Sequence, residues 1–98
     1  MEEAEKVKAL CEKLGEKDLL RTIDSFIILQ RELSTKKGED FVNVAILGFL
    51  EGMLVSLRKK YPQNQDIQGL LELIRTKRAE LEEKFRKPEI HLFEENVD

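Results

Sequence analysis

The sequence predicts an all-α protein, a compact up-down four-helix bundle with a short C-terminal tail. Apolar residues recur every three or four positions in four segments, which is the period of an α-helix, and no segment before Pro88 supports a β-strand. Glycine or proline separates the segments, and the short connections favour antiparallel neighbours. At 98 residues the chain has the size of one domain with one core, so we assign residues 1–98 to a single helical domain.

The first two helices are predicted over residues 2–14 and 16–34, with Gly15 between them as a left-handed cap. The first helix has one narrow apolar stripe, which includes Cys11. In the second helix Ile28 points away from the apolar stripe. The side chains of the second helix predicted to face the core are Leu19, Ile23, Phe26, Ile27 and Leu33.

The third helix, predicted over residues 40–60, carries apolar residues around almost its whole circumference. Small residues follow one another along one side of it and form a smooth strip that another backbone can approach closely. Because a glycine inside a helix costs about 1 kcal/mol relative to alanine, Gly48 and Gly52 are expected to have a packing reason. We therefore expect Gly52→Leu to destabilise the protein through overpacking.

A second copy of the chain is predicted to cover this helix, because one small bundle offers too few neighbours to bury its whole circumference. Ile28 is the residue of the second helix expected to take part. The candidate interface comprises Ile28, Val44, Ala45, Gly48, Gly52, Val55 and Ser56.

The fourth helix is predicted over residues 66–87, and Pro88 is expected to end it. Residues 88–98 then form an acidic tail. Its apolar residues, Ile90, Leu92, Phe93 and Val97, make it too apolar for a solubility tail, so it is expected to dock on another surface.

Two polar residues interrupt apolar stripes. Arg78 lies in the middle of the stripe of the fourth helix, and Gln30 lies among the core residues of the second. These helices run parallel in an up-down bundle, so the two side chains could meet in one polar layer, with Glu82 as the charge partner of Arg78. Three interpretations stay open: a side chain at the core edge, a structural polar layer, and a site for an anion or a metabolite.

No motif predicts catalysis. Cys11 has no nearby histidine, the single histidine, His91, lies in the tail, and the carboxylates at metal-like spacing project away from the apolar stripe. We therefore predict no enzyme, no catalytic residue, no metal and no cofactor. The net charge of −3 makes nucleic acid an unlikely partner. One cysteine and no apolar run near 20 residues predict a cytoplasmic protein without a membrane segment.

In its length, its composition rich in Glu and Lys, and its four-helix pattern, the chain resembles small all-helical proteins of unknown function from hyperthermophilic archaea. The resemblance implies a thermophilic source and no activity or site residue. From the residues themselves we predict a non-enzymatic protein-interaction or scaffold module that acts as a homodimer. The alternative is a helical bundle that binds a small molecule or anion around Arg78 and Gln30.

Overall fold

The computed structural model describes the backbone of residues 1–97 and the side chains of residues 1–85. The protein is all-α, as predicted. The helices are α1 (Glu2–Lys13), α2 (Lys17–Glu32), α3 (Ser34–Lys37), α4 (Glu39–Lys60) and α5 (Gln65–Val97).

Two helix boundaries differ from the prediction. The second predicted helix divides at Leu33 into α2 and the one-turn helix α3. The fourth helix does not end at Pro88, because α5 continues to Val97 and no separate tail follows residue 87. Proline removes one helical hydrogen bond, but the segments on both sides are rich in good helix formers, so the helix continues past Pro88. The predicted docking of the tail's side chains lies outside the described residues, as does Asp98.

The turns between helices have clear causes in the sequence. After α1, the backbone N–H of Glu16 donates to the carbonyl of Cys11 at 2.8 Å, and that of Gly15 donates to Glu12 at 3.1 Å. This is a Schellman motif, and it needs the positive φ of 75° at Gly15. Before α5, the Asn64 side chain accepts a hydrogen bond from the backbone N–H of Ile67 at 3.2 Å, which makes Asn64 the N-cap.

The helices are arranged so that α1 and α4 touch each other and both lie between α2 and α5. In the described residues α2 and α5 make no contact. Gly48 lies beside Arg78 and Glu51 lies beside Arg75, so the residue numbers rise along α4 while those of their partners fall along α5. Helices α4 and α5 are therefore antiparallel, and the face of α4 that points away from α1 has α2 on one side and α5 on the other.

The core is apolar, and no polar or charged side chain among residues 1–85 is fully buried. Helix α4 supplies the largest share of it, namely Val42, Ile46, Leu47, Leu50, Met53, Leu54 and Leu57. Burying a side chain such as Leu47, which has no exposed surface, contributes about 2 kcal/mol. Leu33, which was expected in the core, is instead 39% exposed, because it lies near the end of the bundle.

By length and composition alone, α4 would qualify as a membrane-crossing helix. The absence of an uninterrupted apolar run of about 20 residues, used in the sequence analysis, does not reveal this property. A core helix of a soluble protein passes the same test. Seven residues of α4 are buried among the other helices, so its apolar character has a cause within the bundle.

Candidate functional site

A cluster of four charged side chains lies where α4 meets α5. Arg75 Nε donates a hydrogen bond to Glu51 Oε2 at 2.9 Å, and Arg78 Nη1 lies 2.5 Å from Glu51 Oε1. Arg78 Nε lies 3.1 Å from Glu82 Oε1, which is the pairing predicted from their spacing of one helical turn. Two arginines therefore share two carboxylates, and the formal charges of the cluster cancel.

Glu51 is the most enclosed member, with a side chain only 16% exposed. Its Oε1 atom is out of contact with solvent and has no hydrogen bond of proper alignment, although Arg78 is close enough to form an ion pair. The guanidinium nitrogen at this separation compensates the charge of the carboxylate. Glu51 depends on its two arginines for that compensation.

Gly48 of α4 lies directly beside this cluster. A Cβ atom built at Gly48 would lie 3.7 Å from Arg78 Nη1, so the guanidinium crosses the surface of α4 at this position to reach Glu51. That spacing is an ordinary van der Waals contact, which alanine would tolerate. Arg78 is thus a residue at the core edge, with a side chain 36% exposed.

Gln30 does not join Arg78, so the predicted polar layer between them is wrong. Helices α2 and α5 make no contact in the described part of the chain, because α1 and α4 meet between them. Parallel helices lie diagonally opposite each other in an up-down bundle. In this bundle α1 and α4 meet across one diagonal, so α2 and α5 on the other diagonal are held apart. Gln30 is half-buried, and its side chain makes no hydrogen bond with the described residues.

Glu51 and Arg75 were not among the candidate residues selected from the sequence, although both belong to the cluster. A signal was present, because the connection between α4 and α5 is short. Counting back along both antiparallel helices from that connection places Glu51 within reach of Arg75 and Arg78.

The candidate interface residues divide between two surfaces. Ile28 is 60% exposed and lines a groove between α1 and α2 together with Met1 and Ala4. The residues of α4 lie elsewhere, on the face pointing away from α1. Ile28 therefore lies on a different surface of the chain from the α4 residues, and the interface itself stays a prediction.

The face of α4 that points away from α1 carries the predicted strip of small residues, Ala45, Gly48, Gly52 and Ser56, which we call the α4 strip. Gly52 and Ser56 are exposed, and a Cβ atom built at Gly52 would meet nothing within 4 Å. Gly52→Leu therefore does not overpack the folded chain, contrary to the prediction. Val44 and Val55 are half-buried and pack against the core.

Exposed apolar side chains lie at the start of α4 and near the end of α2, among them Leu33, which was predicted to face the core. Phe41, in the first turn of α4, is 46% exposed, and Leu29 and Leu33 of α2 are 60% and 39% exposed. Phe26 stacks on Phe49 with ring centroids 4.1 Å apart and planes 9° from parallel, which joins α2 to α4 at the edge of this face.

The surface cavities lie elsewhere. The four clearest cavities follow α1, α2, their connection and the start of α5, and neither Gln30 nor Arg78 lines any of them. In the described residues, no three side chains of the His, Cys, Asp and Glu types come together as metal ligands would. Cys11 is buried, and burial, with a smaller effect of the Glu16 charge, raises the pKa of its thiol.

Comparison with known proteins supplies a family and a similar structure. Residues 4–95 match the model of a family described as "Protein of unknown function (DUF3216)". The fold is similar to a crystal structure of a singleton protein, PF1176, from P. furiosus, with 41% sequence identity and a TM-score of 0.79 over 84% of this chain and 89% of that chain. No curated protein matches the chain.

P. furiosus is a hyperthermophilic archaeon, so the predicted resemblance is confirmed in its coarser form, an uncharacterised family with a similar structure from such an organism. The family match, and not composition, carries this conclusion. Neither description names an activity, a ligand or a partner. The chain belongs to the protein family of unknown function DUF3216.

Proposed function

We propose that the protein is a non-enzymatic interaction or scaffold module that acts as a homodimer through the face of α4 pointing away from α1. The observation that carries the proposal is Gly52. Glycine in the middle of a helix costs about 1 kcal/mol relative to alanine, and nothing in the described part of the chain lies close enough to Gly52 to require it. A second backbone packed on the α4 strip would supply the reason.

The surroundings of the α4 strip support the same interpretation. Exposed apolar side chains are ordinary when single, but grouped ones indicate a contact surface. Phe41, Leu29 and Leu33 all lie near the same end of this face, where α2 ends and α4 begins. A partner on the α4 strip would cover the strip and part of this group together.

The alternative function, anion or metabolite binding around Arg78, has less support. Both arginines of the cluster already contact carboxylates, and an added anion would have to displace Glu51 or Glu82 from them. A bound anion would leave Glu51 enclosed without its charge partner, which is costly. Inorganic phosphate is therefore not expected to change the melting temperature more than sodium chloride of equal ionic strength does.

Sedimentation equilibrium over a wide concentration range tests the dimer. We expect the natural chain to dimerise and Gly52→Leu to remain monomeric with its helical circular dichroism intact, because leucine blocks close approach to the α4 strip without a clash inside the chain. Gly69→Leu is the matched control, since Gly69 is also an exposed helical glycine with nothing within 4 Å, but lies on α5 beside α1. A natural chain that stays monomeric up to millimolar concentration would refute the proposal.

A further inference from the structure

We propose that the two copies pack α4 against α4 in antiparallel orientation, with the two-fold axis passing between Gly48 and Gly52. This inference rests on the proposed self-association and adds its geometry. The occupant of the α4 strip is thus the same strip of a second copy.

The charges at the ends of α4 select this orientation. Its first turn contains Glu39 and Asp40, and its last turn contains Arg58, Lys59 and Lys60. An antiparallel pair brings the acidic end of each helix to the basic end of the other, and a parallel pair brings like charges together. The helix dipoles add to the same preference, because each N-terminus then lies beside a C-terminus.

Lys60 is already committed within the chain, since its Nζ atom lies 2.6 Å from Glu16 Oε1. Lys59 is exposed and makes no ion pair with the described side chains, and the same holds for Asp40. Lys59 lies within about 20° of Gly52 around the axis of α4 and Asp40 lies about 120° from it, so Lys59 faces the partner helix directly and Asp40 lies at the edge of the contact.

The position of the glycines sets the register. Gly48 and Gly52 lie on either side of the middle of α4, which runs from Glu39 to Lys60. A two-fold axis at that point places Gly48 opposite the partner's Gly52 and Ala45 next to the partner's Ser56. The closest approach of the two backbones then falls at Gly52 of each copy, where no described atom lies within 4 Å of the Cβ position, while the Arg78 guanidinium borders Gly48 on the α5 side.

At each end of the proposed helix pair lies the exposed aromatic ring of Phe41. Phe41 lies opposite the partner's Lys59 in this register, because the two positions are equally far from the centre of α4. In the single chain Lys37 Nζ lies 5.3 Å from the centroid of the Phe41 ring, so one face of the ring already attracts a cation. The dimer would add a second cation near a ring that is 46% exposed.

Disulfide cross-linking tests the orientation directly. In the antiparallel register, residue 45 and the partner's residue 56 are offset by only about 1.5 Å along the helix, whereas two copies of residue 45 are about 15 Å apart and two copies of residue 56 about 18 Å. A disulfide requires Cα atoms within about 7 Å. We therefore expect Ala45→Cys/Ser56→Cys to form a covalent dimer under mild oxidation, and each single variant to remain uncross-linked.

The same experiment separates the geometry from the self-association. Cross-linking of the single variants would overturn the antiparallel orientation in favour of a parallel one. A double variant that is dimeric in sedimentation but never cross-links would also overturn it, because the dimer would then use another face. A natural chain that is monomeric throughout would remove both the geometry and the proposed function.

A charge exchange gives a second measurement that introduces no cysteine. Lys59→Glu is expected to weaken dimerisation by at least about threefold, because it faces acidic residues of the partner, and adding Asp40→Lys should restore the affinity. In a parallel dimer the two copies of residue 59 would face each other. A mixture of the Lys59→Glu variant and the natural chain would then form a heterodimer that is tighter than the natural homodimer. That result would contradict the proposed orientation.

Discussion

Replacing Arg78 by methionine tests whether the charged cluster on α4 and α5 stabilises the fold. Methionine keeps most of the packing of the arginine stem and removes the charge. After the substitution Glu51 retains its hydrogen bond to Arg75 at 2.9 Å, so its carboxylate is not left without a partner. The loss is therefore that of one ion pair, and not the much larger cost of an isolated buried charge.

The magnitude follows from distance and exposure. Opposite unit charges about 4 Å apart at a surface attract by about 4 kcal/mol, but desolvation and the ordering of long side chains offset most of this attraction. Over a third of the Arg78 side chain is in contact with water, while Glu51 is largely enclosed. We expect Arg78→Met to lower the free energy of unfolding by about 1 kcal/mol.

Gln30→Leu, combined with this substitution, tests the separation of α2 and α5. Because the two helices do not touch in the described residues, the two effects should add to within about 0.5 kcal/mol. Urea unfolding followed by circular dichroism, at one fixed protein concentration, measures all three variants. Lys77→Met is the control, since Lys77 is exposed on the same helix and makes no ion pair with the described side chains.

Two results would refute this reasoning. A loss of 3 kcal/mol or more for Arg78→Met would mean that the arginine is a buried cation whose removal strands Glu51. A coupling above about 1 kcal/mol between positions 30 and 78 would mean that the two side chains share a polar layer after all.

The remaining predictions concern two groups whose pKa values are raised. Burial and the nearby Glu16 carboxylate raise the pKa of the Cys11 thiol, so a thiol-specific reagent at pH 8 should label the native protein at least about tenfold more slowly than the urea-unfolded chain; equal rates would show that Cys11 is accessible. The hydrogen bond to Glu16 raises the pKa of Lys60 above its ordinary value of 10.5. The stability from this pair is therefore fully present below that pH and is lost as the pH rises through the folded-state pKa. Melting temperatures measured between pH 9 and pH 12 should therefore fall less in Lys60→Met than in the natural chain, and parallel curves would contradict the pairing.

Local rules explain how far the fold could be predicted. The turn at Gly15 and the break at Tyr61 and Pro62 follow from glycine and proline chemistry, which acts within a few residues. The stop at Pro88 failed because a proline weakens a helix by a finite amount, which good helix formers around it can offset. Leu33 fits the helical period of the core but lies at an end of the bundle where few neighbours remain to cover it.

The helices, their inner faces and the pairing of Arg78 with Glu82 could be predicted from the sequence, because helical geometry fixes which residues share a side. Which helices touch depends on the packing of the whole chain. The contact between α1 and α4 separates Gln30 from Arg78 and leaves Gly52 open, and it depends on how four side-chain surfaces fit together at once. The pairing of Glu51 with Arg75 and Arg78 also depends on packing, because both arginines lie on α5 and the antiparallel register of α4 and α5 brings them to Glu51.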